Sequence, residues 1–125
     1  MHTESTSLSS DCPFCRQNGL LKGEVTAETG SAYLLPAQQS PGCYLIIPTD
    51  HIEAVNELPD DWWRSFKELL PQVPDVPSSY NISLNIGPGA GQTVKHLHFW
   101  VVPRPAGDPA SGKGLARLIA ETNRE

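Results

Sequence analysis

Apolar residues in this chain come in short runs separated by proline and glycine. Residues 23–29 alternate weakly and predict a short strand, Gly30 marks a turn, and residues 31–35 read as its antiparallel partner. Pro36, Pro41 and Gly42 make 37–42 a loop. Cys43-Tyr44-Leu45-Ile46-Ile47 reads as a central strand stopped by Pro48. That leaves Thr49-Asp50-His51 at a strand end, a common place for ligand contacts. Leu58-Pro59-Asp60-Asp61 has the proline and carboxylates of a helix start. The helix predicted from there to about residue 70 carries Trp63, Phe66, Leu69 and Leu70 as its core stripe, with one ring of the Trp62-Trp63 pair in the core and the other half-exposed. A proline-rich connection occupies 71–77, and 80–86 alternates cleanly, with Ile82, Leu84 and Ile86 on one face. Residues 113–121 read as a short terminal helix. Together these elements predict an α+β fold: a mainly antiparallel sheet, one principal helix packed on it, a short C-terminal helix, and a site on the opposite face or edge.

Two of the four histidines break the pattern of the last strand, in the run Lys95-His96-Leu97-His98-Phe99-Trp100-Val101. Strand side chains alternate between faces, so His96, His98 and Trp100 share one face while Leu97, Phe99 and Val101 suit a core. Two adjacent imidazoles are costly to bury without partners. Directly upstream, Gly87-Pro88-Gly89-Ala90-Gly91 is a loop whose amides can converge on an anion, or simply a tight turn. Imidazoles beside free amides suit a phosphate ester, with one ring as nucleophile.

Composition narrows the partners. The net charge is −5 with nine Lys and Arg. That argues against extended nucleic-acid binding, which needs a basic face, but leaves room for a small anion. No apolar run is long enough for a bilayer span, and no basic-then-apolar leader is visible, so a soluble, cytoplasmic protein is expected. The length suits one domain over 12–125 behind a disordered leader at 1–11. Cys12-Pro13-Phe14-Cys15 lacks the strand-then-helix context of a redox pair and reads as half of a metal knuckle. Cys43 reads as a small packing residue. Two nitrogen ligands would have to come from His51 and one of the strand pair, His2 being the poorest candidate. On spacing alone, this site and an incidental C-x-x-C stand about even.

The run Asn85-x-Gly87-x-x-Ala90-Gly91-Gln92-Thr93-Val94-x-His96-Leu97-His98-x-x-Val101-x-Pro103-Arg104 resembles the signature of the histidine triad (HIT) superfamily of nucleotide hydrolases and transferases. Pro41-Gly42-x-Tyr44-Leu45-Ile46-Ile47-Pro48-x-x-His51 resembles that family's second block. The resemblance implies that His98 attacks the α-phosphorus of a nucleotide ester, anhydride or phosphoramidate and forms a covalent nucleotidyl-histidine. It implies a substrate-binding set of Asn85, Gly91, Gln92, Thr93 and Trp100. It also implies a structural Zn2+ held by Cys12, Cys15, His51 and His96, and a homodimer.

The chain departs from that family pattern at two positions. Trp100 stands where the pattern has a third histidine, which serves the leaving group, and an indole cannot shuttle a proton. Leu35 stands where many members carry a polar or acidic side chain for the ribose. Two functions therefore remain in view: a zinc-stabilised nucleotide hydrolase or nucleotidyl transferase, and a nucleotide-binding or sensing module with little or no turnover. A zinc-knuckle interaction protein is a third and weaker reading.

Overall fold

The computed structural model describes residues 11–123. The expected leader, apart from Asp11, lies outside the described residues, as does His2. Five strands, β1 (Ala27–Thr29), β2 (Ala32–Pro36), β3 (Tyr44–Pro48), β4 (Tyr80–Leu84) and β5 (Phe99–Pro103), form one sheet in the order β1-β2-β3-β5-β4. Every pairing is antiparallel, with Tyr33 opposite Ile47, Leu45 opposite Trp100 and Ser83 opposite Trp100. Helix α1 (Trp62–Leu69) packs on one face, and α2 (Leu115–Thr122) follows the sheet. The expected α+β architecture is the one observed.

β2 and β3 are apolar at nearly every position because both faces of the sheet are covered there. On one face Ala32, Leu34, Ile46, Phe99 and Val101 pack with Trp62, Phe66 and Leu69 of α1. On the other, Tyr33, Leu35, Leu45 and Ile47 pack with Trp100 beneath Phe14, Leu21 and Val25. The N-terminal segment is thus the second layer of the fold. This explains why β1 begins only at Ala27: the residues before it cover the sheet rather than extend it.

The helix stripe is shifted by one residue from the expected one. Its buried positions are Trp62, Ser65, Phe66 and Leu69, whereas Trp63 is 57% exposed. The observed i, i+3, i+4, i+7 spacing is that of a single helical face, which the stripe drawn through Trp63 and Leu70 did not follow. Ser65, polar in an apolar stripe, accepts a hydrogen bond from the Ser31 amide at 3.0 Å and so fastens the β1–β2 turn to the helix. Gly30 in that turn has φ +52°, and a Cβ there would run into the Ser65 hydroxyl.

Two further expectations are corrected. The strand at 80–86 ends at Leu84, and Ile82 and Ile86 are 46% and 54% exposed. β4 is an edge strand: Leu84 still packs against the core that α1 covers, but Ile82, further along the strand, lies outside that cover. The strand bearing the histidines begins only at Phe99, so His96 and His98 lie in the segment that enters it. Alternation fails there: His96, Leu97 and His98 are all buried. The reason is a crossing with the segment after β3, where the Leu97 amide donates to the Ile52 carbonyl at 2.8 Å.

Truncating Trp62 or Phe66 to alanine is expected to cost about 3–5 kcal/mol. Trp63→Ala, which removes edge contacts with Trp62, Phe66 and Phe99 from a largely exposed ring, should cost about 1 kcal/mol. Urea unfolding of the three variants checks the assignment.

Candidate functional site

The C-x-x-C forms a tight knuckle. The Cys15 amide donates to the Cys12 carbonyl at 3.3 Å, the Phe14 amide donates to Cys12 Sγ at 3.4 Å, and Asn18 Nδ2 donates to the Cys12 carbonyl at 2.6 Å. The Tyr33 hydroxyl, on the N-terminal side of the sheet, donates to the Phe14 carbonyl at 2.6 Å. Burial pushes the Tyr33 phenol well above its ordinary pKa, which keeps it a neutral donor. The knuckle is thereby tied to β2, facing the segment that carries the histidines.

Cys12, Cys15, His51 and His96 present ligand atoms that all lie within 4.8 Å of one another. The tautomers follow from the partners. A carbonyl oxygen only accepts, so the 2.7 Å contact of His96 Nε2 with the Pro48 carbonyl makes Nε2 the protonated nitrogen. His96 Nδ1 is left with its lone pair, 3.4 Å from Cys12 Sγ and 3.6 Å from Cys15 Sγ. His51 repeats the arrangement: Nε2 donates to the Glu53 carboxylate at 2.8 Å, and Nδ1 faces Cys15 Sγ at 3.2 Å. Bonds of about 2.3 Å to sulfur and about 2.05 Å to nitrogen at a tetrahedral angle would separate S and N by about 3.5 Å. The donor set therefore fits a tetrahedral metal, with both imidazoles oriented from behind by acceptors, as ligating histidines usually are. Burial lowers the His96 pKa to about 4 against the opposing pull of the Pro48 hydrogen bond, which keeps the ring neutral. The His51 hydrogen bond holds the exposed Glu53 carboxyl below its ordinary value.

His98 lies outside this cluster. Its Nδ1 donates to the carbonyl of His96 at 2.8 Å, so its Nε2 carries the lone pair. The ring is 4% exposed, and burial lowers its pKa, the backbone hydrogen bond opposing. It stands edge-on to Phe14 (centroids 5.0 Å) and tilted against Trp100 (6.2 Å). Beside it opens a mainly apolar cavity of about 200 Å³, whose walls include Phe14, Leu35, Leu45, Thr93 and Trp100. Among the described residues its only ionisable lining side chains are His98 and Lys22. The indole nitrogen of Trp100 is shielded from solvent and has no hydrogen-bond partner among the described residues. Such an unmet donor costs roughly 1–3 kcal/mol.

The substrate set expected from the sequence is divided by the fold. Thr93 and Trp100 share the cavity with His98. Gln92 braces its own loop, accepting from the Gly87 amide at 2.8 Å and donating to the Val94 carbonyl at 2.9 Å. Gly91, at φ +99°, lies close to the Asn85 side chain, and Asn85 faces a separate depression beside β4 and α2. Phe14, Lys22 and Tyr33 went unnoticed in the sequence as site residues. For Phe14 a signal existed: if the two cysteines meet His96, the residues between them must lie near His98.

Fold and site together define a small α+β protein in which a Cys2His2 cluster braces one wall of a pocket containing a second, separate imidazole. The family model described as the HIT domain matches residues 26–107, and the chain belongs to that family. Among curated relatives, the adenosine 5′-monophosphoramidase hnt1 of Schizosaccharomyces pombe is 35% identical over 114 residues, covering 82% of this chain and 81% of the relative. The adenylylsulfatase HINT3 of Arabidopsis thaliana is 27% identical, covering 84% of this chain and 58% of the relative. A crystal structure of a Zn-bound histidine triad family protein from Mycobacterium smegmatis matches with a TM-score of 0.64 at 25% identity, covering 83% of each chain.

Glu53→Ala removes the acceptor that orients His51. It is expected to weaken retention of a divalent ion by about 10-fold or more, while Glu57→Ala, which lies away from the cluster, leaves retention unchanged. Competition with a chromogenic chelator measures both.

Proposed function

We propose that this chain is a zinc-stabilised nucleotide hydrolase or nucleotidyl transferase with His98 as its nucleophile. The observation that carries this reading is the hydrogen bond from His98 Nδ1 to the His96 carbonyl. It commits the proton to one nitrogen and leaves the other as a lone pair beside a cavity. The names of two relatives, an adenosine monophosphoramidase and an adenylylsulfatase, support a substrate with a reactive bond at the 5′-phosphate of a nucleotide. His98 attacks the α-phosphorus, the leaving group departs, and water or another acceptor then cleaves the phosphorus–nitrogen bond. The proton stays on Nδ1 throughout, hydrogen-bonded to the His96 carbonyl, whose partial negative charge offsets the positive charge of the nucleotidyl-imidazolium. Thr93 lies at the cavity wall, where it can reach the substrate. Gln92 braces the loop that leads to Thr93, accepting from the Gly87 amide, while the amides of Ala90, Gly91 and Gln92 are spent on carbonyls within the same loop.

Zinc fits the two sulfur and two nitrogen donors, and the Zn-bound neighbour supports that choice. Cys12, Cys15, His51 and His96 would hold it, and the ion would stabilise the knuckle that walls the pocket. The apolar residues left exposed on the β4 edge and on α2 (Tyr80, Ile82, Leu115 and Ile119) support a homodimer formed through that side.

The second reading, a nucleotide-binding or sensing module, draws on Trp100, whose bulk occupies the cavity wall next to His98. Mass spectrometry after exposure to activated nucleotides separates the two. A covalent adduct on His98 supports the enzyme, and stoichiometric binding with no adduct supports the module.

His98→Ala is expected to lose adduct formation and to slow turnover by on the order of 10⁴-fold, with its unfolding midpoint close to the parent's. Turnover at the parental rate would remove His98 as nucleophile. Metal analysis should find about one zinc per chain. Ile82→Lys should shift the mass seen by light scattering from dimer to monomer.

A further inference from the structure

The pocket beside His98 contains chemistry for holding a substrate but little for protonating a departing group. Among the described residues its lining carries no carboxylate, thiol or phenol, and no second imidazole. Lys22 is exposed, and a lysine ammonium is a weak acid at neutral pH. The other imidazoles nearby, His51 and His96, have both nitrogens committed, to the thiol cluster on one side and to Glu53 or Pro48 on the other. The Tyr33 hydroxyl is spent on the Phe14 carbonyl. What remains next to His98 is the indole of Trp100. Its N–H is shielded from solvent and unpartnered among the described residues. Trp62 has an unpartnered N–H too, but that ring is wedged among Trp63, Phe66 and Phe99 in the core, away from any ligand. Trp100 alone of the two lines a cavity.

We propose that this pocket selects nucleotide anhydrides, whose leaving group departs as a stable anion, and that Trp100 sets the preference by filling the wall beside His98 with a ring that has no transferable proton. The proposal rests on His98 being the nucleophile and narrows the substrate class of that same site. The step balances without an acid. The Nε2 lone pair of His98 forms the bond to the α-phosphorus, and the phosphorus–oxygen bond to the leaving group breaks. Its electron pair leaves on an oxyanion, such as sulfate or a phosphate, that is already stable in water. Water then forms a phosphorus–oxygen bond and loses a proton to solvent, while the phosphorus–nitrogen pair returns to His98. A phosphoramidate cannot follow this route, because its nitrogen must gain a proton before it departs and nothing in the pocket supplies one. An alkyl ester is blocked for the same reason. Trp100 is in this sense a specificity-determining residue: its ring occupies the cavity wall beside His98 without supplying a proton, and so disfavours the leaving groups that need one.

The test compares kcat/KM for four adenosine 5′-phosphoryl compounds that differ only in leaving group: adenosine 5′-phosphosulfate, the 4-nitrophenyl ester, the phosphoramidate and the methyl ester. For the protein as it exists, the first two are expected to exceed the last two by about 100-fold or more, the usual contribution of a positioned acid. Trp100→His should raise phosphoramidate turnover at least about 10-fold and flatten the dependence on leaving-group basicity. Trp100→Phe, which keeps an aromatic ring and likewise has no transferable proton, should retain the preference for anhydrides. Phosphoramidate turnover within about 10-fold of the phosphosulfate by the parent protein overturns the inference and leaves the nucleophile assignment standing. An unchanged leaving-group dependence in a folded Trp100→His variant overturns it as well. Absence of both turnover and adduct with all four compounds removes the nucleotidyl reading and this inference with it. The comparison on the parent needs no variant, so poor folding of either substitution does not blunt the test.

Discussion

A backbone carbonyl can accept a hydrogen bond but never donate one, and the site depends on that asymmetry twice. The Pro48 carbonyl takes the Nε2 proton of His96, and the His96 carbonyl takes the Nδ1 proton of His98. Each contact fixes a tautomer and a ring orientation. Because the two carbonyls meet opposite nitrogens, the rings do different things. His96 turns its remaining lone pair toward the thiols, and His98 keeps its own out of that cluster. Residues of the same type, two positions apart, are thus given separate chemistry by the backbone alone.

The same segment explains why these imidazoles can be buried at all. His96 is fully buried and His98 nearly so, which would be expensive for charged rings. Burial lowers both pKa values, and the hydrogen bonds that pull the other way are too weak to restore the charge. The rings are therefore neutral, each satisfied on one side by a carbonyl. Leu97 between them is pinned through its amide to Ile52, just past His51. One crossing of two extended segments aligns two of the four members of the cysteine–histidine cluster, His96 from one side and His51 from the other, together with the Pro48 carbonyl that orients the first.

Much of this was legible in the sequence, and what escaped has identifiable causes. The strands centred on Leu34 and Ile46 announced themselves by continuous apolar runs, whereas spacing alone left the second histidine of the cysteine–histidine cluster open, and only the resemblance to the histidine triad pattern pointed to His96. The helix stripe was misplaced by one residue because adjacent tryptophans satisfy the periodicity equally; only the packing of Trp62 against Phe99 settles which ring is inside. The alternation of 80–86 was real but says only that two faces differ, not that either is covered, and on an edge strand the apolar face stays exposed. Gln92 was expected to meet a ligand, yet its amide spans its own loop, a use of a polar side chain that motif spacing cannot distinguish from binding. Phe14 was hidden by its place in a segment whose polar approach gave no hint that it caps the sheet.

That cap ties the fold to the site. The sheet face bearing Tyr33, Leu35, Leu45 and Ile47 has no helix over it; its cover is Phe14, Leu21 and Val25. A segment this short has little propensity to order itself, so its position must come from side-chain anchors. The structure supplies them at both ends of one residue. The Phe14 carbonyl is held by the Tyr33 hydroxyl, and the flanking cysteines face the histidine pair. The ring so placed touches His98 on one side and closes the cavity on the other. Burying the sheet's second face and building the pocket wall are therefore one event. The layer that completes the core is also the layer that shapes the site.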